Sequence, residues 1–492
     1  MQEKVTQKNR LVKTFGLNMA IIMVMSAIIG SGVFKKVAPM ADELQSPGLV
    51  VMAWVLSGII ILFGVWSIAE LGAAFPHSGG PFSWLEQIYG KLISFLYGWA
   101  SFTVIQSAAI ASVAYVFAGA VGTFIPLPHL SPAMESMSFL GIHLFSNIGA
   151  KIITCILIIG LTIVNIKGTK KGGLVSLIFT FFIVVCLSFI VASAITSQAG
   201  SWQVFATKGS NYPVQGFTVF AFVSIMVIAM RNAFWGYEGW IALGFIGEEL
   251  KNPQRTMPRA LTIGIIIIIV FYAVVNWAYL YVMPIDEMTK GLSDPNFIGA
   301  VAVINKIFGH QGAYIVSGMI MISTFGCTNA TTLVSARIYY AMGRKGLFFK
   351  NAGDIHPKNK TPHNALIYQC IWACILTVTG SFAILTELVI IAAFVFYGLI
   401  VFGVIVLRIK RKDLARPYKT FGYPVVPVMF VLFCLTLLSI TFFNSPVKSV
   451  IGLLLIFSGL PFYFYWRKSK SHLEYLKSEA ETESATAELV NK

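Results

Sequence analysis

The residues best suited to chemistry lie in two short runs that interrupt apolar segments. The first is Ala27-Ile28-Ile29-Gly30-Ser31-Gly32-Val33-Phe34. Glycine weakens a helix by about 1 kcal/mol relative to alanine, and Gly30 and Gly32 flank a serine in the middle of the first long apolar run. In lipid, a broken helix leaves backbone N–H and C=O groups unpaired unless protein or a water-filled cavity shelters them. A break here frees the amides of Gly30, Ser31 and Gly32 at the positive end of the following half-helix, which suits a carboxylate. It also frees carbonyls near Ile28, which suit an ammonium. One break therefore offers two complementary poles for a zwitterion. The competing reading is that the glycines only allow close helix packing.

The second run, Phe234-Trp235-Gly236-Tyr237-Glu238-Gly239-Trp240, repeats this anatomy some 200 residues later. It adds Glu238, an acid at membrane depth, and intramembrane acids are functional candidates by default. Three roles fit Glu238: a proton carrier, a partner for a substrate ammonium, or a fixed hydrogen-bond acceptor that holds the break. Phe234 and Trp235 have the size for an aromatic lid, with ordinary packing as the alternative; Gly236 sets Trp235 beside a flexible point.

The chain of 492 residues that carries these runs is 57% hydrophobic and only 11% charged, with a net charge of +16. Soluble domains are nearer a quarter charged, so this is an all-α polytopic membrane protein and the basic balance does not indicate nucleic acid. Apolar runs of spanning length centre near Met25, Ile60, Ile110, Ile158, Val184, Ile228, Ile267, Ile322, Ile375, Phe396, Leu432 and Leu455, about twelve in all. The boundary between the ninth and tenth is placed near Glu387. The even count sets both termini on one side, and 27 of the 36 lysines and arginines fall in segments on that side, which the positive-inside rule makes cytoplasmic. The expected organisation is a cytoplasmic tail over 1–16, a transport core of ten helices over 17–410, two further helices over 411–466 and a second cytoplasmic tail over 467–492. Corresponding interruptions in helices one and six indicate an inverted repeat with its binding site at the midplane. The six cysteines all fall in apolar runs and read as small packing residues.

Several charges call for partners. Glu70, in the run that leads to Pro76-His77-Ser78-Gly79-Gly80, reads as an ion-pair or capping partner at the inner end of helix two, and Arg337 reads the same way on helix eight. The loop from Glu248 and Glu249 to Arg259 mixes both signs with two prolines and suits an ion-paired inner gate. Lys35 and Lys36 follow the first break and Arg231 precedes the second. On neighbouring half-helices these three would make a positive funnel; alternatively the lysines pair with Asp42 or Glu43. Arg231 needs a partner or water at that depth. It is taken as an outer-gate residue that disfavours cationic substrates.

The segments IIGSGVF, AELGAAFPHSGGPFSW, YEGWIALGFIGEELKNPQRTMPRAL and SARIYYAMGRKGLFFKNAGDIHPKNKTPHNAL resemble the amino acid–polyamine–organocation superfamily, and within it the L-type amino acid transporter group. The resemblance runs from about Leu11 to Leu407. It implies a LeuT-like fold of five-plus-five inverted helices with two more at the C-terminus. It implies that amides around Ser31 and Gly32 hold a substrate carboxylate, and that the carbonyls of Ile28 and Trp235 hold the amino group. Two positions depart from the pattern. Where many members carry a lysine in helix five, this chain has Ile183, and the loop from Thr123 to Ala150 lacks the cysteine that links animal members to a heavy chain.

The function expected is secondary transport of amino acids by alternating access, with exchange of neutral L-amino acids as the leading form. A proton- or sodium-coupled symporter is the alternative, with hydroxyls of Ser323, Thr324 and Thr328 available to a cation, and an amino-acid-binding receptor is a reading of a different class. An intramembrane enzyme is not expected, because all seven histidines fall in loops or tails as the sequence places them and no nucleophile–base pair or metal cluster arises within the spans. No cofactor, nucleotide site or covalently linked heavy chain is expected; the partners are the amino acid and the lipid bilayer.

Overall fold

The structure is a computed structural model. It describes residues 15–75, 80–138, 143–168, 172–213 and 218–477; within these, the side chains of 172–178, 180, 246 and 248 are not described. The expectations for most of both tails, for Pro76 to Gly79, for Lys170 and Lys171, and for the Glu248 side chain lie outside the described residues.

Nine described helices are long and apolar enough to cross a membrane: Pro47–Ala74, Lys91–Val121, Ile148–Lys167, Val219–Phe245, Pro253–Val282, Gly299–Arg344, Phe382–Lys410, Val425–Asn444 and Pro446–Trp466. Three expected spans complete the order as helices of other kinds. The first is broken into Leu17–Ile28, Gly32–Lys35 and Val37–Leu44; the fifth is Gly172–Thr196 and the ninth His363–Thr379. Each expected centre falls inside a helix. The fourth span shows why such segments suit lipid: Ile152, Ile156, Ile159 and Ile163 form an exposed stripe at helical spacing, while Thr154, Leu161 and Asn165 are buried on the other side.

Local chemistry explains the interruptions. Helix one stops at Ile29, whose backbone is extended at φ −74° and ψ 96°. It restarts at Gly32, and the seam near Lys36 falls where Pro39 lacks the N–H that would bond the Lys35 carbonyl. Helix six ends at Tyr237; Glu238 is extended, at φ −58° and ψ 143°. Gly239 follows at φ +100°, and a Cβ there would lie 2.2 Å from the Ala27 carbonyl oxygen, so only glycine fits where the two breaks approach. The chain then continues as a 3-10 helix, Ala242–Glu249. The eighth span turns at Gly309, φ 65°. The ninth and tenth spans separate at Gly380-Ser381, several residues before the expected boundary, and Glu387 lies inside helix ten. The Ser381 hydroxyl caps that helix by accepting from the Ile384 amide. His310 and His363 sit on helices instead of in loops.

Candidate functional site

The two breaks meet. An ideal Cβ on Gly32 would lie 2.5 Å from the Gly236 Cα, so the backbones touch where each helix is open. Tyr272, on the seventh span, ties them together: its hydroxyl lies 2.9 Å from the Gly236 carbonyl oxygen and 3.3 Å from that of Ile28. The Trp235 indole N–H donates to the Ser31 hydroxyl at 3.2 Å.

Beside this contact is a cavity of about 120 Å³. Of the eight residues expected at a substrate site, Ile28, Gly30, Ser31, Trp235 and Glu238 line it. The other three do not. Gly32 and Gly236 lie against each other and make the close approach possible. Phe234 points away into the core, with ring centroids 4.7 Å from Phe394 and 5.4 Å from Phe433. One residue is about 100° of helix rotation, which puts Trp235 on the cavity and its neighbour behind it. Glu238 accepts from the Tyr397 hydroxyl at 2.5 Å. Of the carbonyls expected to meet an amino group, that of Ile28 faces the Tyr272 hydroxyl and that of Trp235 accepts from the Glu238 amide at 3.3 Å.

Sequence reasoning missed Tyr272, Tyr397, Cys327 and Gln106. Cys327 and Gln106 line the cavity, and Cys327 Sγ would sit 3.2 Å from a Cβ on Gly30. Nothing local marks them: each is one side chain in a long apolar helix, and only tertiary packing brings it to the breaks. All six cysteines are free, but Cys327 is a wall of the cavity as well as a packing residue.

The face of the bundle where helix one begins is here called the terminal face, and the opposite one the distal face. On the distal side of the breaks lies a larger cavity of about 430 Å³. Trp235, whose ring is set edge-on to Phe382 with centroids 6.2 Å apart, stands between the two spaces. This vestibule is not the expected positive funnel: Lys35, Lys36, Lys151 and Arg231 are matched in its lining by Glu43, Glu135, Asp294 and Glu387. Arg231 pairs with Glu387 at 2.6 Å, and Lys448 takes the other oxygen at 2.7 Å. The lysines do not pair with Asp42 or Glu43. Lys35 donates to the Pro295 carbonyl, and Lys36 to the Thr386 hydroxyl at 2.8 Å and to Asn232 at 3.2 Å. Both ammoniums sit over the Phe382 ring.

On the terminal face Arg337 reaches Glu249 at 3.7 Å. Beside it, the Phe15 amide donates to the Glu249 carbonyl and the Lys251 amide to that of Phe15, so the entry to helix one is laced to the segment after helix six. Glu70 has the partner foreseen for it, and more. Arg408 holds it through two nitrogens at 3.0 and 2.6 Å, Arg416 approaches to 3.4 Å, and Thr420 donates its amide and hydroxyl.

A cavity bounded by the open ends of two interrupted helices, inside a bundle of apolar spans, is the build of a transport protein. The chain belongs to the amino acid permease family, whose model matches residues 15–464. It is 30% identical to the serine/threonine exchanger SteT of Bacillus subtilis, over 95% of this chain and 99% of that protein. It is also 31% identical to the mouse large neutral amino acids transporter small subunit 2, over 95% of this chain and 84% of that one. The mouse b(0,+)-type amino acid transporter 1 is 30% identical, over 92% and 88%. The protein is therefore a permease and not an enzyme.

Proposed function

We propose that this chain exchanges neutral L-amino acids across a plasma membrane of prokaryotic type by alternating access, as a stand-alone permease with both termini in the cytoplasm. The observation that carries the proposal is the cavity at the joined breaks. There, the Gly30 and Ser31 amide end can receive a carboxylate, and the Glu238 carboxylate, with the second lone pairs of the Ile28 and Trp235 carbonyls, can receive an ammonium. Both poles of an amino acid are answered by groups fixed in the backbone, which supports recognition of the shared α-amino-acid portion. Trp235, bonded to Ser31, closes the site toward the vestibule. Arg231 with Glu387 and Lys448 supports distal closure, and Arg337 with Glu249 supports closure at the terminal face.

The names of the relatives include an exchanger, which agrees with obligatory exchange. A buried isoleucine at position 183 supports exchange without strict cation coupling, since no charge is available there. One relative is named a small subunit; the segment from Thr123 to Ala150 holds no cysteine for a disulfide to a heavy subunit. The excess of lysine and arginine on the termini side supports the orientation.

The experiment is exchange in proteoliposomes. A radiolabelled neutral amino acid inside is challenged with a panel of unlabelled ones outside, at several pH values, with sodium or choline. Efflux that requires an external neutral amino acid and persists in choline is the expected result. Efflux into empty medium, or uptake that vanishes without sodium, overturns the exchange reading, and binding without any counterflow would make the protein a receptor.

A further inference from the structure

The third span contains a feature that the function above does not use. Between Lys91–Ala100 and Gln106–Val121 the helix widens into a π-turn, Ser101–Ile105, in which the Gln106 amide bonds back to the Ser101 carbonyl. Such single-turn insertions are rare and cluster at functional sites. This one is held from outside. The Tyr339 hydroxyl donates to the Ser101 carbonyl at 3.0 Å, the Ser107 hydroxyl to that of Phe102 at 2.7 Å, and the Trp372 indole to that of Thr103 at 2.7 Å. Three consecutive carbonyls of the turn are thus satisfied by side chains, two of them from other spans.

An inserted residue rotates everything after it by about 100° relative to an uninterrupted helix. The face thereby turned to the cavity carries Gln106, Ala109 and Val113, one and two turns apart. Ala109 and Val113 are apolar and buried. The Gln106 carboxamide makes no hydrogen bond to any described residue, although it carries two donors and an acceptor. Across the space Thr331 donates its own proton to the Cys327 carbonyl. The backbone ends at the breaks can answer the two α-substituents of an amino acid, which leaves Gln106 to face what varies between amino acids, the side chain.

We propose that Gln106 is the specificity-determining residue of this site, and that the preferred substrates are small L-amino acids whose side chains carry a hydroxyl or a carboxamide. The inference rests on the binding of amino acids at the joined breaks. A hydroxyl both donates and accepts, so it completes an otherwise unmade pair with the Gln106 amide, while its carbon atoms meet Ala109 and Val113. An isostere with a methyl in place of the hydroxyl leaves that amide unpaired beside an apolar surface. Sites built to bond a polar group reject such analogues more strongly than apolar pockets reject an added hydroxyl.

The test uses two isosteric pairs, L-threonine with L-valine and L-serine with L-alanine, as external substrates in exchange. For the natural chain, kcat/KM favours the hydroxyl member by about fivefold or more. In Gln106→Met, which keeps the length and removes the hydrogen bonds, the ratio falls to near one while exchange of L-alanine persists. An unchanged ratio in that variant, or a natural preference for valine over threonine, overturns the proposal. Failure of the natural chain to exchange any amino acid would instead overturn the reading on which it rests. If Gln106→Met exchanges nothing, thermal stabilisation of the purified variant by each amino acid decides: equal stabilisation by threonine and valine upholds the role, and a retained threonine preference removes it.

Discussion

Replacing Gly32 by alanine adds one methyl where there is no room. Its Cβ would stand 2.5 Å from the Gly236 Cα, 2.8 Å from the Gly236 nitrogen and 3.2 Å from the Trp235 ring. Carbon atoms rest about 3.5–4.0 Å apart, so the two breaks must separate by about 1 Å, and the first obstacle is backbone, which cannot rotate away. The Trp235–Ser31 bond, now 3.2 Å, would open past hydrogen-bonding range, and the Tyr272 hydroxyl could no longer hold both carbonyls. Overpacking costs about 1–3 kcal/mol and a lost hydrogen bond about 1 kcal/mol. A penalty of about 3 kcal/mol falls on the state in which the breaks touch, which corresponds to about a hundredfold in an equilibrium constant. The helices themselves remain intact. The expected variant is folded and inserted, elutes as a single peak in detergent, and exchanges amino acids at least about tenfold more slowly than the natural chain. Gly32→Leu adds a larger side chain at the same contact and should abolish exchange. Wild-type exchange by either variant would show that contact of the breaks is not needed for transport.

Other perturbations test other parts of the molecule. Glu387→Ala leaves Arg231 and Lys448 without their shared carboxylate, and should cost about 3–5 kcal/mol of stability, read as a large fall in detergent Tm; Arg231→Ala should cost less, because Lys448 still pairs with Glu387. Since Arg231 is tied into an ion pair with Glu387 and does not face the vestibule as a free cation, the arginine-to-alanine change should leave the ratio of lysine to leucine uptake near its natural value; a marked rise in lysine uptake would restore the selectivity role expected from the sequence. Glu70→Ala removes the acceptor for Arg408, Arg416 and Thr420 and should sharply reduce the yield of monodisperse protein. Arg337→Ala breaks a partly exposed pair worth about 0–1 kcal/mol and should hardly move Tm, whereas a fall of many degrees would mean that the contact does far more than gate.

The backbone logic of the site was legible in the sequence because it rests on local rules. Gly30 and Gly32 in an apolar run announce a break, and Glu238 beside Gly239 announces another. Glu70, Glu249 and Arg337 needed partners and have them. What was not legible depends on rotation or on distance along the chain. Phe234 and Trp235 differ by one position, and only the packed helix shows which of them faces the cavity. Arg231 and Glu387 are 156 residues apart, so nothing in the local sequence gives a reason to join them. Tyr272 lies in an apolar run where a tyrosine carries no local signal. Gln106 reaches the cavity through a π-turn, and a periodicity argument that assumes 3.6 residues per turn cannot foresee an extra one. The break before helix ten falls at Gly380-Ser381, a dipeptide whose capping role was obscured by the acid at Glu387.

The central claim, that an amino acid occupies the cavity at the joined breaks, can be measured at one wall of that cavity. Cys327 lines it and is a free thiol. With the other five cysteines replaced by alanine, the rate at which methyl methanethiosulfonate modifies Cys327 is followed in a preparation that retains exchange activity. A transported neutral L-amino acid at ten times its Kd fills about nine-tenths of the sites and should slow modification about tenfold, while its D-enantiomer should not. Modification at the same rate with and without saturating substrate, in protein that still exchanges, would place the amino acid elsewhere and contradict the account.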